Sequence, residues 1–209
     1  DTNDLNHNIY KSIKKKYKKI ILLNNKHLSG ISGALNTGLE YSKSEFIGRI
    51  DSGDICLDKK RFEKILNLFK KKINIDLICS GLVNDKNKKI TPNCIYIKAI
   101  LSPFSRVPHP TWVMRKSSII INYKHNCTRF EDYAFLLDNG LKVLILNQFD
   151  LLYDTSDKLS RLVEFRTLYL KTKFFLRKSE KDFNSLSTAF FYLIFRTIRL
   201  ILSSKKIIF

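Results

Sequence analysis

Asp51 and Asp54 are the residues whose type and spacing point most directly to chemistry. They bracket Ser52-Gly53, a pair that turns the chain, and they follow Glu45-Phe46-Ile47-Gly48-Arg49-Ile50, which reads as a short buried strand. In open α/β sheets ligands sit beyond the carboxyl ends of the strands, so two carboxylates there suit a metal ion and a phosphorylated substrate. A second reading stays open on the same residues: an Asp-Ser-Gly-Asp turn that only hydrogen-bonds its own backbone. A further acidic pair, Glu131-Asp132, precedes the apolar helical run Tyr133-Ala134-Phe135-Leu136-Leu137, which Asn139-Gly140 closes as a C-cap.

The elements that must position these residues alternate. Ile9, Tyr10, Ile13 and Tyr17 recur at helical spacing with Lys11, Lys14, Lys15 and Lys16 on the wet face, and Ile20-Ile21-Leu22-Leu23 then predicts a buried strand. Asp1 to Asn8, before them, is polar and loop-like. Ser29 to about Tyr41 predicts a second helix with Ile31, Leu35 and Leu39 as its core stripe and small residues at its start. Past the acidic turn, Arg61 to Lys72 predicts an amphipathic helix with Phe62, Ile65, Leu66 and Phe69 inside and Lys60, Glu63, Lys64 and Lys70 outside. Asp76 to Ser80 reads as the next strand, and this alternation predicts an α/β fold with a mostly parallel sheet and helices on both faces.

From Gly81 to Pro110 the rhythm breaks. Asn84-Asp85-Lys86-Asn87 is a turn, Cys94-Ile95-Tyr96-Ile97 could be strand, and Pro103, Pro108 and Pro110 oppose regular structure, so an irregular loop near the substrate is expected. Thr111 to Arg115, Lys142 to Leu146 and Leu151 to Tyr153 supply the remaining strands.

Beyond Asp157 two helices are expected, Leu159 to Arg177 and Phe183 to Leu202. The second is apolar over almost a bilayer's width, but Arg196 and Arg199 interrupt it, and an arginine near the middle of a spanning helix costs about 2.5 to 3.5 kcal/mol. Two readings stay open: an interfacial helix on an anionic leaflet, flanked by Lys171, Lys173, Arg177, Lys178 and Lys205-Lys206, or a helix buried against protein. The expected organisation is an α/β domain over residues 1–155 and a basic amphipathic helical tail over residues 156–209.

The net charge is +19, from 38 Lys+Arg against 19 Asp+Glu, which admits nucleic acid, an anionic membrane face or anionic small substrates. Richness in Lys, Asn and Ile, as in coding sequence poor in G and C, is a fourth source of such charge. A dedicated nucleic-acid binder is not expected: there is no basic helix with base-reading side chains, no RNP-type aromatic pattern and no zinc spacing. Cys56, Cys79, Cys94 and Cys127 lie far apart without a C-x-x-C, which argues against zinc and redox motifs and for a reduced, cytoplasmic compartment. Cys56 and Cys79 sit beside apolar residues as small core fillers.

The run Ser29 to Gly38, then Glu45 to Asp54 with Arg61 just after, then His109-Pro110-Thr111, then Glu131-Asp132, resembles glycosyltransferase family 2. The order and spacing of these four motifs carry the resemblance, which covers about residues 1–155. It implies a GT-A fold, a nucleotide-diphosphate sugar donor, a divalent metal (Mg2+ or Mn2+) and inversion at the anomeric carbon. By that resemblance Asp51 and Asp54 hold the metal and the donor's diphosphate, with Asn36 and Arg61 also on the donor. Asp132 matches the general base that takes the acceptor hydroxyl proton, and Glu131 and His109 match contacts to the acceptor or the diphosphate. A carboxylate at a helix N-terminus is favoured as the anion, which suits a base; a plain N-cap pair is the competing reading. The implied acceptor is a surface polysaccharide or a lipid-linked glycan, reached from the cytoplasmic, inner face of the membrane.

The chain departs from the pattern in several places. Gly53 stands where the second acid of D-x-D is usual and Asp54 comes one residue later, Leu28 stands where Asn is frequent, and Tyr153-Asp154 where Tyr-Arg is common. Asp1 to Asn6 resembles the family's second donor loop, so the first strand with its base-binding aspartate is expected to be missing from this N-terminally truncated chain. The alternative expectation is therefore a truncated or degenerate relative that keeps the scaffold without catalysis.

Overall fold

The computed structural model describes residues 11–127, 129–153 and 161–204, and divides into two compact units, Asp1–Ser42 and Lys43–Phe209. In the first unit residues 11–16 are helical, as their spacing predicts, while the loop Asp1 to Asn8 and the start of that helix lie outside the described residues. Helix α1 (Ile31–Tyr41) starts after Gly30, whose φ of 109° is one that glycine accepts readily. Its buried face is Ser32, Gly33, Asn36, Thr37 and Leu39, which corrects the expected stripe: Ile31 is 51% exposed. The cause is the preceding loop, which packs on the small residues. The Lys26 N–H donates to Thr37 Oγ1 at 3.0 Å, and a Cβ on Gly33 would stand 1.9 Å from the Leu28 carbonyl oxygen.

The expected buried strand Ile20 to Leu23 is also corrected. These residues pair with no strand among the described residues, and all four are exposed. An apolar run carries no ladder of its own; a strand exists only where a neighbour takes its N–H and C=O groups.

In the second unit the sheet order is β1-β7-β3-β8-β2, built from β1 (Phe46–Gly48), β2 (Ile55–Cys56), β3 (Leu77–Asn84), β7 (Val113–Arg115) and β8 (Val143–Tyr153), with β4 (Lys89–Ile90) off this path on β3. β7 is antiparallel to both β1 and β3, and β3 is parallel to β8, so β1, β3 and β8 all point one way. That common direction brings their carboxyl ends to one edge, where the acidic turn follows β1.

The parallel β3–β8 ladder is the longest. The two strands expected at Lys142 to Leu146 and Leu151 to Tyr153 are one strand: the polar Asn147-Gln148 between them mark a register shift in the ladder, not its end. At that shift a Cβ on Gly81 would lie 2.6 Å from the Phe149 ring, so only glycine lets the ring cross.

Helix α2 (Arg61–Lys71) packs on this sheet through Ile65 and Phe69, both fully buried with Ile78 and Val113, and each such side chain contributes about 1.5 to 3 kcal/mol. Its buried row is Arg61, Ile65 and Phe69, spaced by four; Phe62, expected inside, is 44% exposed and lies over Gly48, where a Cβ would come within 2.6 Å of its ring. The region Gly81 to Pro110 holds more regular structure than expected, because β3 continues to Asn84, pairs with β4, and is followed by the small hairpin β5 (Tyr96–Ile97) and β6 (Ile100–Leu101). Helix α3 (Glu131–Asn139) ends at Gly140 in the left-handed conformation, φ 59°, as its sequence predicts.

Helices α4 (Arg161–Lys178) and α5 (Phe183–Ser204) match the two expected in the tail. By length and composition Phe183–Leu202 suffices to cross a membrane, and 17% of its most apolar window is buried within the protein.

Candidate active site

Just past β1 the chain is held by the Arg49 N–H, which donates to the Trp112 carbonyl at 3.2 Å, and then turns at Asp51 to Asp54. The Asp54 N–H closes that turn on the Asp51 carbonyl at 3.2 Å, with Gly53 at φ 90°. That φ explains the departure noted in the sequence: a residue bearing a Cβ is strained there, so an acid at position 53 gives way to one at 54.

Arg49 and Asp51 are two apart on extended chain and share a face. The guanidinium grips the carboxylate twice, Nε to Oδ1 and Nη2 to Oδ2, the latter at 2.9 Å. The remaining terminal nitrogen, Nη1, lies 2.6 Å from Nδ1 and 2.8 Å from Nε2 of His109. A guanidinium only donates, and a neutral imidazole has one accepting nitrogen, so one of the two ring nitrogens receives the Arg49 N–H, the other carries the ring's proton, and His109 is neutral. Burial, reinforced by the Arg49 charge, holds its pKa well below the ordinary 6.5.

His109 is set by its surroundings. It lies in a 3-10 turn (His109–Thr111) between two prolines, its ring 4.3 Å from that of Trp112 and its Nε2 2.9 Å from the Tyr123 hydroxyl. Thr111 ties the turn to the sheet: its hydroxyl accepts the Ser80 N–H at 3.2 Å, and its single proton lies between the backbone oxygens of Ser80 and Pro108, 3.0 and 2.7 Å away.

Glu131 and Asp132 open α3, and both feel the Arg49 charge. Burial raises both carboxyls above their ordinary values, and backbone N–H groups at the start of the helix oppose that rise, in the direction expected of a helix N-terminus. For Asp132 the opposing influences are Lys171 first, then the Tyr133 N–H, which donates to its Oδ1 at 2.7 Å, and Arg49. Asp132 and Lys171 line one cavity of about 210 Å³ with Leu101, Arg106, Val107 and Pro108.

The structure thus brings Asp51 and His109 onto Arg49, with Asp54 on the same turn as Asp51, while Glu131 and Asp132, at the head of α3, meet the Arg49 charge without a contact to it. Arg61 stands behind the His109 turn: fully buried at the head of α2, it donates to the Thr111 carbonyl and stands 3.7 Å from Asp150 Oδ2. Asn36 belongs to the first unit, where it is buried on α1. Arg49 and Tyr123 were not singled out from sequence. The two-residue spacing to Asp51 was a usable signal for Arg49, and none existed for Tyr123.

Two hard carboxylates on one turn are a donor set that suits Mg2+ or Mn2+ when substrate phosphates supply further oxygens. Among the described residues no group of three or more His, Cys, Asp or Glu converges to hold a metal by itself.

The sequence model of the family described as "Glycosyl transferase family 2" matches residues 2–129. The uncharacterized glycosyltransferase MJ1057 of Methanocaldococcus jannaschii is 27% identical over 191 residues, covering 84% of this chain and 65% of that protein. Among solved structures, S. aureus TarS 1-349 superposes with a TM-score of 0.57 at 14% identity, covering 88% of this chain and 57% of that one. A second S. aureus TarS structure gives 0.53 at 17% identity, covering 79% and 31%. The chain therefore spans less than two thirds of each of these relatives, and the structural likeness shows the fold: the α/β, GT-A-like class expected from the sequence. With more than half of its length matched by the family's sequence model, the chain belongs to glycosyltransferase family 2.

Proposed function

We propose that this chain is the catalytic part of an inverting glycosyltransferase that moves a sugar from a nucleotide-diphosphate donor to a hydroxyl of a surface polysaccharide or lipid-linked acceptor. The observation that supports the reading is Asp51 and His109 joined by the Arg49 guanidinium just past β1, with Asp132 lining a cavity that reaches Pro108, the neighbour of His109. Asp132 is the base. It lines a cavity large enough for part of a sugar and accepts the acceptor's proton as the oxygen attacks. Asp51 and Asp54 face the donor's diphosphate and would hold a divalent cation there, which neutralises charge on the leaving nucleotide. Neutral His109 and Glu131 act as polar contacts to acceptor or diphosphate, and Arg61 secures the turn behind His109.

The domain ends near residue 155 and the tail lies on the anionic inner face of a membrane, a reading supported by the exposed Phe183, Phe190, Phe191, Phe195 and Ile198 on α5 together with Arg196 and Arg199.

The test is release of nucleoside diphosphate from a panel of UDP-, GDP- and dTDP-sugars with Mn2+ and a crude lipid-linked glycan fraction, for the wild type and Asp132→Asn. A drop of about a thousandfold or more in the variant supports the base assignment, and full turnover by the variant removes it. No turnover together with no donor binding by the wild type leaves the non-catalytic relative as the better account.

A further inference from the structure

We propose that Lys171, on α4, is a positioning residue for Asp132: its ammonium keeps the carboxylate ionised and oriented across the cavity the two share. The inference rests on Asp132 being the base. It assigns to the tail a part in the site that its sequence, read as a basic stretch at a membrane, does not suggest, and Lys171 lies outside the matched residues 2–129.

The geometry begins with the cavity of about 210 Å³, whose wall carries Asp132 from α3 and Lys171 from α4, with Arg106 exposed at its rim. Lys171 is fixed by two aromatic faces, its Nζ 4.3 Å from the Tyr133 ring centre and 5.7 Å from that of Tyr192. Tyr133 is itself pinned, its hydroxyl donating to the Leu101 carbonyl at 2.8 Å, and its backbone N–H donates to Asp132 Oδ1. One residue therefore sets both partners. Its ring carries the ammonium and its amide carries the carboxylate.

The electrostatics agree. Burial drives Asp132 toward its neutral form, and Lys171 is the strongest influence against that. Reciprocally, burial pushes Lys171 down to about 8, Asp132 opposes the fall, and Arg196 of α5 adds to it. The other titratable or charged groups around Asp132 and Lys171 are Arg106 at the rim of their cavity, Arg49 beyond β1, Glu131 beside Asp132, Tyr123 from the loop before α3, and Tyr192 of α5. Arg49 is already engaged by Asp51 and His109, and Lys171, across the shared cavity from Asp132, is the stronger of the two cations acting on it.

The experiment is a 13C NMR pH titration of aspartate carboxyls in the full chain, with the Asp132 resonance assigned by its loss in Asp132→Asn. In Lys171→Met the Asp132 midpoint rises by about one pH unit or more, while Lys171→Arg stays within roughly 0.3 of the wild type. The wild type also shows a second, smaller inflection near pH 8 as Lys171 loses its proton, absent from Lys171→Met. Should Lys171→Met not fold, Lys171→Gln carries the same test. An unmoved midpoint without the upper inflection overturns the proposal. This readout needs no substrate, so it separates from the base assignment: full turnover in Asp132→Asn removes the base and leaves the Lys171–Asp132 linkage to the titration.

Discussion

Arg49 grips both carboxylate oxygens of Asp51, the residue two places further along its own chain, and extends its third nitrogen to His109. The acid expected to face a metal and a diphosphate is thus already matched by a resident cation, and any ligand at Asp51 meets that cation as well. Mn2+ binding in the absence of nucleotide should be weak in the wild type and tighten on the order of tenfold in Arg49→Gln. Isothermal titration with MnCl2 checks this, and equal affinities in the two proteins would discard it.

The turn itself offers a second test. Gly53 at φ 90° tells against restoring the family's usual acid at that position. Gly53→Asp should destabilise the chain by about 1 to 2 kcal/mol, and Gly53→Asn by less, because Asn tolerates positive φ better. Urea unfolding of the three proteins measures the order, and a Gly53→Asp variant as stable as the wild type contradicts it.

Arg61 and Asp150 form a buried pair, 0% and 4% exposed at their side chains, with Gln148 Nε2 donating to Asp150 Oδ2 at 2.9 Å. Removing one partner strands the other charge, so Asp150→Leu should cost about 3 to 5 kcal/mol. The double variant Arg61→Met with Asp150→Leu should recover part of that loss. A double-mutant cycle in urea decides; strictly additive losses would mean that the two do not interact.

His109 gives stability a pH dependence with a defined sign. Its folded pKa lies below the unfolded value near 6.5, so between the two the unfolded chain binds the extra proton. Its contribution is therefore complete above about pH 6.5 and is lost as pH falls toward the folded pKa, by up to about 1.4 kcal/mol per pH unit. The difference in unfolding free energy between the wild type and His109→Gln, followed from pH 7.5 to 5, isolates this residue. A difference that is flat over that range refutes the neutral, buried assignment.

The exposed apolar face of α5 bears on the membrane reading. Phe190 and Phe191 are 61% and 63% exposed, and replacing both with Asp should reduce sedimentation with vesicles of phosphatidylglycerol by about tenfold. Binding should also weaken as salt is raised, since the basic residues contribute through a screened field. Unchanged sedimentation of the variant would assign this face to contact with protein.

Local chemistry is what the sequence determined by itself. Helix periodicity located α2, α4 and α5 to within a few residues, Gly140 ended α3 where its left-handed φ requires a small residue, and Ser52-Gly53 turned the chain between Asp51 and Asp54. The order of four short motifs then sufficed to anticipate the family. Where the reading failed, the missing information was non-local. Ile20 to Leu23 have the composition of a strand without a ladder partner among the described residues, and β8 runs through polar Asn147-Gln148 because β3 continues beside it.

Only the tertiary structure decided which charges meet. Arg61 turned inward because Asp150 and the Thr111 carbonyl await it across the sheet, which no spacing along the chain encodes. Burial outweighs the help that the helix N-terminus gives the Asp132 anion, since a helix N-terminus acts over a single turn whereas desolvation depends on everything packed around the group. The same packing joined Lys171 to Asp132, 39 positions apart in the sequence, by stacking α4 against α3 across one tyrosine.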